Sequence, residues 1–159
     1  METWSNGIVN NFARQPVGGD RDQIKAVAAG QCDVTIANSY YLFGMLNSND
    51  DAERNAAEKV AIFWPNQNDR GTHVNISGVA LTHSAKNSEN AIKLMEYLVN
   101  EKAQNWYAEA NGEYPVRSSV SINSLLSSWG EFKQDGINLV ELGRNNSKAV
   151  KLMDRAGWK

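Results

Sequence analysis

Apolar residues recur along this chain with two different spacings. A spacing of three to four residues predicts helices over 2–13, 20–30, 40–48, 87–110, 121–132 and 145–158. Residues 50–59 fit either a polar helix or a loop. Short apolar or alternating runs predict strands over 32–38, 60–66 and 73–82. Because strands alternate with helices, the pattern predicts an α/β layered fold with a mainly parallel sheet.

Residues at the ends of the predicted helices indicate where they begin and stop. Asp20 is expected to be the N-cap of the 20–30 helix, and Gly30 its C-terminal stop. Gly112 is expected to end the long 87–110 helix. An apolar stripe on that long helix predicts a side that faces the core. The stripe consists of Ile92, Met95, Leu98 and Val99.

Composition and charge exclude several classes of protein. The 159 residues are 42% hydrophobic and 21% charged, which is ordinary for one globular domain. With 16 basic and 18 acidic residues and no basic run, the chain lacks the electrostatic footprint of a protein that binds nucleic acid or an anionic membrane. The single cysteine, Cys32, excludes a disulfide framework or a thiolate metal cluster within one chain.

The beginning of the chain carries no targeting signal. Residues 1–7 have neither a basic n-region nor an apolar h-region. Two interpretations fit: a cytoplasmic protein, or a piece of a larger secreted protein whose leader lies upstream. An amphipathic helix that begins almost at once, with Trp4 and Ile8 on one stripe, favours the second interpretation.

Two adjacent tyrosines, Tyr40 and Tyr41, follow the predicted 32–38 strand. Neighbouring side chains converge on one target only where the backbone turns, and a strand end that runs into a helix start offers such a turn. A trivalent cation can displace the phenolic proton, so two phenolates on one Fe(III) are chemically reasonable. The alternative is that both rings are amphipathic packing residues at a domain surface. The pair alone favours the packing interpretation, and iron binding stays open as the alternative.

The sequence contains no catalytic signature. There is no Gly-rich phosphate loop, no nucleophile elbow and no pair of histidines at helical spacing. His73 and His83 are ten residues apart in different surroundings, which fits hydrogen-bonding roles better than metal ligation. We therefore expect a protein that is not an enzyme.

Four runs of sequence carry a resemblance to a known family. They are "GGDRDQIKAVAAGQCDVTIANSYYLF", "WPNQNDRGTHVNISGVALT", "NEKAQNWYAEANGEYPVRSSV" and "MDRAGW". Together they resemble the periplasmic ferric-ion-binding proteins, the substrate-binding components of iron(III) ABC transporters, over essentially the whole chain. The resemblance implies a periplasmic protein that binds Fe(III) through Tyr40 and Tyr41 as tyrosinates and delivers it to an inner-membrane permease.

The same resemblance implies a type II periplasmic-binding-protein architecture with two lobes, of which this chain would be the C-terminal half. Residues 1–72 would form the part of lobe 2 that carries the tyrosine pair. Residues 73–120 would form a crossing strand and a helix toward lobe 1, and residues 121–159 would be C-terminal helices that return to lobe 2. A half of a two-lobed protein exposes unpaired sheet edges, so we expect self-association.

Members of the resembled family bind iron together with a synergistic anion such as carbonate or phosphate. Asn38 and Arg21 are the candidate anion-binding residues, although Asn38 fits equally well as the cap of the next helix and Arg21 fits better as a solvated charge on the helix surface. The acidic residue Asp20 at the start of its helix would repel an anion and argues against phosphate, so the expected partner of the iron is a synergistic anion such as carbonate. The alternatives are a binding protein of the same fold for an organic ligand or oxyanion, and a regulatory effector-binding domain.

Overall fold

The computed structural model describes residues 1–158 and is built from helices. The eight helices are α1 (Glu2–Asn10), α2 (Asp20–Ala28), α3 (Ser39–Leu46), α4 (Asp51–Ala57), α5 (Ser88–Leu98), α6 (Glu101–Asn111), α7 (Ser124–Ser128) and α8 (Val140–Ala156). Each predicted helical segment therefore overlaps a helix, although α8 begins at Val140, before the predicted start at 145, and 50–59 contains the helix α4 rather than a loop. None of the helices in the described part of the chain is long and apolar enough to cross a membrane.

The three predicted strands run between helices but form no ladder. Within residues 1–158, β-pairing is limited to one parallel bridge between Thr72 and Gln134. Apolar side chains of the predicted strands are exposed, with Val34 at 83%, Ile36 at 77% and Phe63 at 85%. A strand is stabilised by hydrogen bonds to neighbouring strands, and these segments have none beside them in this part of the chain. The predicted sheet is thus absent from residues 1–158.

The core lies where α2, α3 and α4 meet. It is centred on the buried side chains of Ile24, Leu42, Met45 and Ala57. α6 packs on another side of α3. Its C-cap, Gly112, has φ 64° and lies directly against the ring of Phe43. Gly112 therefore ends this helix as predicted, and α3 is held between α6 and the α2–α4 pair.

The helix predicted over 87–110 is two helices. The side chain of Asn100 accepts a hydrogen bond from the backbone N–H of Ala103 at 2.9 Å, which makes Asn100 the N-cap of α6 and ends α5 before it. The predicted core-facing stripe on α5 is not buried, since Ile92 is 45% exposed and Val99 is 49% exposed. That expectation was wrong for residues 1–158, where α5 packs mainly against α6.

The first and last helices pack on each other. The ring of Trp158 stacks on Trp4 with centroids 6.4 Å apart and meets the edge of Phe12 at 5.4 Å. A second aromatic group joins Trp64, Phe132 and Tyr114, and the indole N–H of Trp64 donates to the carbonyl of Trp129 at 3.1 Å. These contacts tie 60–72 to the region around α7.

Candidate functional site

The tyrosine pair lies in the first turn of α3, where the chain turns from the 32–38 segment into the helix. The rings of Tyr40 and Tyr41 have centroids 4.6 Å apart and planes inclined at 42°. Tyr41 is half-buried and packs against the core, whereas Tyr40 is 38% exposed. Adjacent side chains on a helix point about 100° apart. The short distance between the ring centroids shows that the two rings nevertheless meet at the start of α3.

The surroundings of Tyr40 favour its protonated form. Partial desolvation is the largest cause that raises its pKa above the ordinary value, followed by the side chain of Tyr41. The negative charges of Asp20 and Glu113 raise the pKa further. The same two carboxylates make the position attractive to a cation, which would offset their charge. Glu113 directly follows Gly112, so the end of α6 brings this carboxylate toward the pair.

Asn38 immediately precedes α3 with extended backbone dihedrals, φ −75° and ψ 138°. Its side chain makes no capping hydrogen bond to the helix. The side-chain oxygen of Asn38 instead accepts from the Nδ2 of Asn75 at 3.1 Å, and its Nδ2 lies 3.5 Å from the Oδ1 of Asp20. The same Oδ1 accepts the backbone N–H of Asn38 at 2.8 Å. Asn38 therefore occupies the N-cap position of α3, as considered from the sequence, but its side chain does not make the capping hydrogen bond.

Asp20 is not the N-cap of α2, contrary to the sequence prediction. Gly19 occupies the cap position, and its N–H donates to the Oδ2 of Asp22 at 2.8 Å. The carboxylate that binds back to the cap is thus the one on the third helical residue. This arrangement leaves the Asp20 carboxylate available to Asn38.

Arg21 forms an ion pair with Glu53 on α4, with 2.9 Å between Nη1 and Oε2. Lys25 shares the same carboxylate at 3.2 Å. The pKa of Glu53 is lowered by hydrogen bonds, first from Ser48 and then from Lys25. The guanidinium of Arg21 also lies close to Gly44, one helical turn after Tyr40. The structure therefore places Arg21 near the helix of the pair, but with an acidic partner of its own.

Sequence reasoning did not single out Asn75 or Glu113. The alternation of polar residues along 73–82 marked Asn75 as part of a polar face, but its partner is 37 positions away in the sequence. Within residues 1–158, no group of three or more His, Cys, Asp or Glu side chains is placed to hold a metal ion. The phenols are therefore the distinctive donors of this region.

Comparison with known proteins places this chain among binding proteins. A family model described as bacterial extracellular solute-binding protein matches residues 4–134. The chain is 49% identical over 156 residues to iron uptake protein A1 of Synechocystis, covering 98% of this chain and 43% of that protein. The chain spans less than half the length of that relative.

Solved structures of similar proteins share the fold. The Trichodesmium protein IdiA (FutA), in complex with iron and citrate, matches with a TM-score of 0.95 and 52% identity, over 99% of this chain and 50% of its own. The ferric binding protein from Campylobacter jejuni matches with a TM-score of 0.95 and 36% identity, again over 99% and 50%. These matches confirm the expected type II fold, of which residues 1–158 form a part. They also account for the unpaired strand segments, because this chain corresponds to half of each structure.

Proposed function

Because the chain belongs to the bacterial extracellular solute-binding protein family, we propose that it binds Fe(III) through the phenolates of Tyr40 and Tyr41 for ABC-type iron uptake. The family assignment confirms a binding protein rather than an enzyme. The observation that carries the proposal is the approach of the two rings to 4.6 Å at the start of α3. The names of the relatives, which refer to iron uptake and ferric binding, support Fe(III) as the ion.

The charges around the pair suit a trivalent ion. Two phenolates leave one positive charge of an Fe(III) ion uncompensated. The carboxylates of Asp20 and Glu113, whose charges act on Tyr40, attract a cation to this position without needing to be ligands. Binding releases the phenolic protons, so acid competes with the metal and favours release.

Fe(III) needs more ligands than two phenolates, and we assign the remaining positions to an anion and to groups outside residues 1–158. The lobe assignment is part of the same proposal: 1–72 carries the pair in lobe 2, 73–120 crosses toward lobe 1, and 121–159 returns to lobe 2. The packing of α8 against α1 supports the last step, because it brings the final helix back to the first. The site then lies in the cleft between the lobes. The full-length protein carries the ion in the periplasm and delivers it to an inner-membrane ABC permease.

Asn38 and Arg21 remain the proposed anion-binding residues, with carbonate as the synergistic anion. An anion at Arg21 has to compete with Glu53, which holds the guanidinium at 2.9 Å. An anion at Asn38 has to replace the 3.5 Å contact between its Nδ2 and Asp20, the longest hydrogen bond of that group. Citrate is the second candidate, because it accompanies iron in the Trichodesmium structure.

Self-association of this chain is a separate part of the proposal. The unpaired segments present apolar side chains to solvent, including Val34, Ile36 and Phe63, each more than 75% exposed. Unpaired strands with exposed apolar residues tend to pair with another chain. Size-exclusion chromatography with light scattering should give a mass of at least a dimer. A monomer that stays monomeric as its concentration rises contradicts this part.

Visible absorbance during titration with chelated Fe(III) and carbonate tests the metal site. The chain should develop a broad tyrosinate-to-iron charge-transfer band that the Tyr40→Phe, Tyr41→Phe double variant lacks. Tyr97→Phe is the matched control, because Tyr97 is 48% exposed on α5 and lies outside the site. A band of equal strength in the double variant would refute tyrosinate ligation. Repeating the titration with citrate in place of carbonate separates the two anions.

A further inference from the structure

We infer that Asn75 is a positioning residue for the tyrosine pair and acts through Asn38 and Asp20. Three separate segments meet in this group: the start of α2, the residue before α3, and the unpaired 73–82 run. Its relevance to iron rests on the proposed function, but the hydrogen bonds themselves exist without metal. The inference can therefore be tested on metal-free protein as well.

The direction of the hydrogen-bond chain is fixed by its acidic end. An ionised carboxylate only accepts hydrogen bonds, so the amide group of Asn38 that faces Asp20 must be its NH2. The Asn38 oxygen then faces Asn75, which must donate, as its Nδ2 does at 3.1 Å. The order is therefore donor Asn75, relay Asn38 and acceptor Asp20.

The hydrogen-bond chain matters for the pair because Asn38 sets the beginning of α3. Its side chain does not cap the helix, and its backbone N–H is held by Asp20 at 2.8 Å. Tyr40 and Tyr41 follow after one residue, so a shift of Asn38 moves the turn from which both rings project. Asp20 also acts directly on Tyr40 by its charge. A change at Asn75 should therefore reach the rings although Asn75 does not touch them.

The 73–82 run has few other links to this region. Among the described residues, no backbone N–H of 73–81 donates to another backbone group. Within residues 1–158, the hydrogen bond from Asn75 to Asn38 is therefore what links this run to the segment before α3. A movement of the run and a movement of the tyrosine turn are coupled through it.

The test reverses the direction of the chain of hydrogen bonds. Asn75→Asp faces the Asn38 oxygen with a carboxylate and so breaks that contact, whereas Asp20→Asn alone keeps an amide oxygen that can still accept from Asn38. In the double variant, Asn38 can turn its amide over: the new amide at 20 donates to the Asn38 oxygen and the new carboxylate at 75 accepts from its NH2. The net charge is unchanged in the double variant. Ser77→Ala, two residues along the same run, is the control.

Fluorine NMR of metal-free protein labelled with 3-fluorotyrosine reads the result. The chain has five tyrosines, and Tyr→Phe variants assign their resonances. We expect Asn75→Asp to shift the resonances of Tyr40 and Tyr41 and to leave those of Tyr97 and Tyr107 in place. The double variant should return them toward their original positions. A merely structural defect would move all resonances and would not be rescued.

Iron provides the second measurement. Loss of one hydrogen bond in the group should speed transfer of Fe(III) to a competing chelator by about fivefold, and the double variant should restore the original rate. If the parent chain binds no iron, the two phenols and an anion do not suffice without the groups outside residues 1–158, while the fluorine spectra still decide whether Asn75 positions the pair. Unshifted Tyr40 and Tyr41 resonances in Asn75→Asp, or a double variant no closer to the parent than Asn75→Asp, overturn the inference.

Discussion

Replacing Gly112 by alanine should destabilise the contact between α6 and α3 more than its size suggests. Gly112 has φ 64°, a left-handed conformation that costs an L-residue about 1 kcal/mol. An added Cβ would also overlap the Phe43 ring at its base rather than at a flexible end. Phe43 is only 4% exposed, so it has little room to move away. Overpacking of this kind costs about 1–3 kcal/mol, so the two effects together predict a loss of about 2–4 kcal/mol.

Gly130→Ala is the matched control for that variant. Gly130 has φ 80°, but nothing lies within 4 Å of an added Cβ, so only the backbone cost of about 1 kcal/mol applies. Urea unfolding followed by circular dichroism gives the free energy of unfolding of each variant. Equal losses for Gly112→Ala and Gly130→Ala would refute the view that contact with Phe43 requires a glycine at the end of α6.

Two further predictions concern tyrosines. The hydroxyl of Tyr114 is buried without a hydrogen-bond partner, and burial raises its pKa, so it should ionise only above the usual range near pH 10 and destabilise the fold as pH rises further. Tyr114→Phe should leave the free energy of unfolding unchanged or raise it by up to about 1 kcal/mol, and it should reduce the loss of stability above about pH 10. Urea unfolding at several pH values measures both effects. A loss of more than about 1 kcal/mol at neutral pH would contradict this prediction. For the proposed iron site, the raised pKa of Tyr40 means that protons compete strongly with the metal, so the charge-transfer band should fade on acidification. A band that persists to about pH 4 would refute proton competition at the phenols.

The helices were predictable because their signals are local. Amphipathic spacing and the glycines at 30 and 112 mark where α2 and α6 stop, and the structure agrees. The break at Asn100 was missed because the apolar spacing continues through it, whereas the cap depends on one side-chain hydrogen bond. The strands could be recognised by pattern, but their pairing depends on partners that residues 1–158 do not supply.

The site was predictable in part for the same reason. The adjacent tyrosines are visible in the sequence, and the turn that brings them together follows from a strand-like run that meets a helix start. The link from Asn38 to Asn75 joins residues 37 positions apart. Such a contact depends on how segments meet in three dimensions, and polar alternation along 73–82 gives only its face. Likewise, Asp20 was predicted as the N-cap because its residue type is common at that position. In the structure Gly19 is the N-cap, and its backbone N–H donates to the Asp22 carboxylate.

Amide hydrogen exchange in the unpaired segments reports whether a sheet has formed. Among the described residues, the backbone N–H groups of 32–37 and 73–81 donate to no backbone acceptor, so their deuterium uptake should approach that of an unstructured peptide. The core helices α2 and α3 should exchange slowly in the same sample. When another strand is laid beside these segments, from whatever polypeptide, their amides gain acceptors and their exchange slows. Mass spectrometry of deuterated peptides from the two segments therefore shows when the sheet forms, and the identity of the partner strand need not be known in advance.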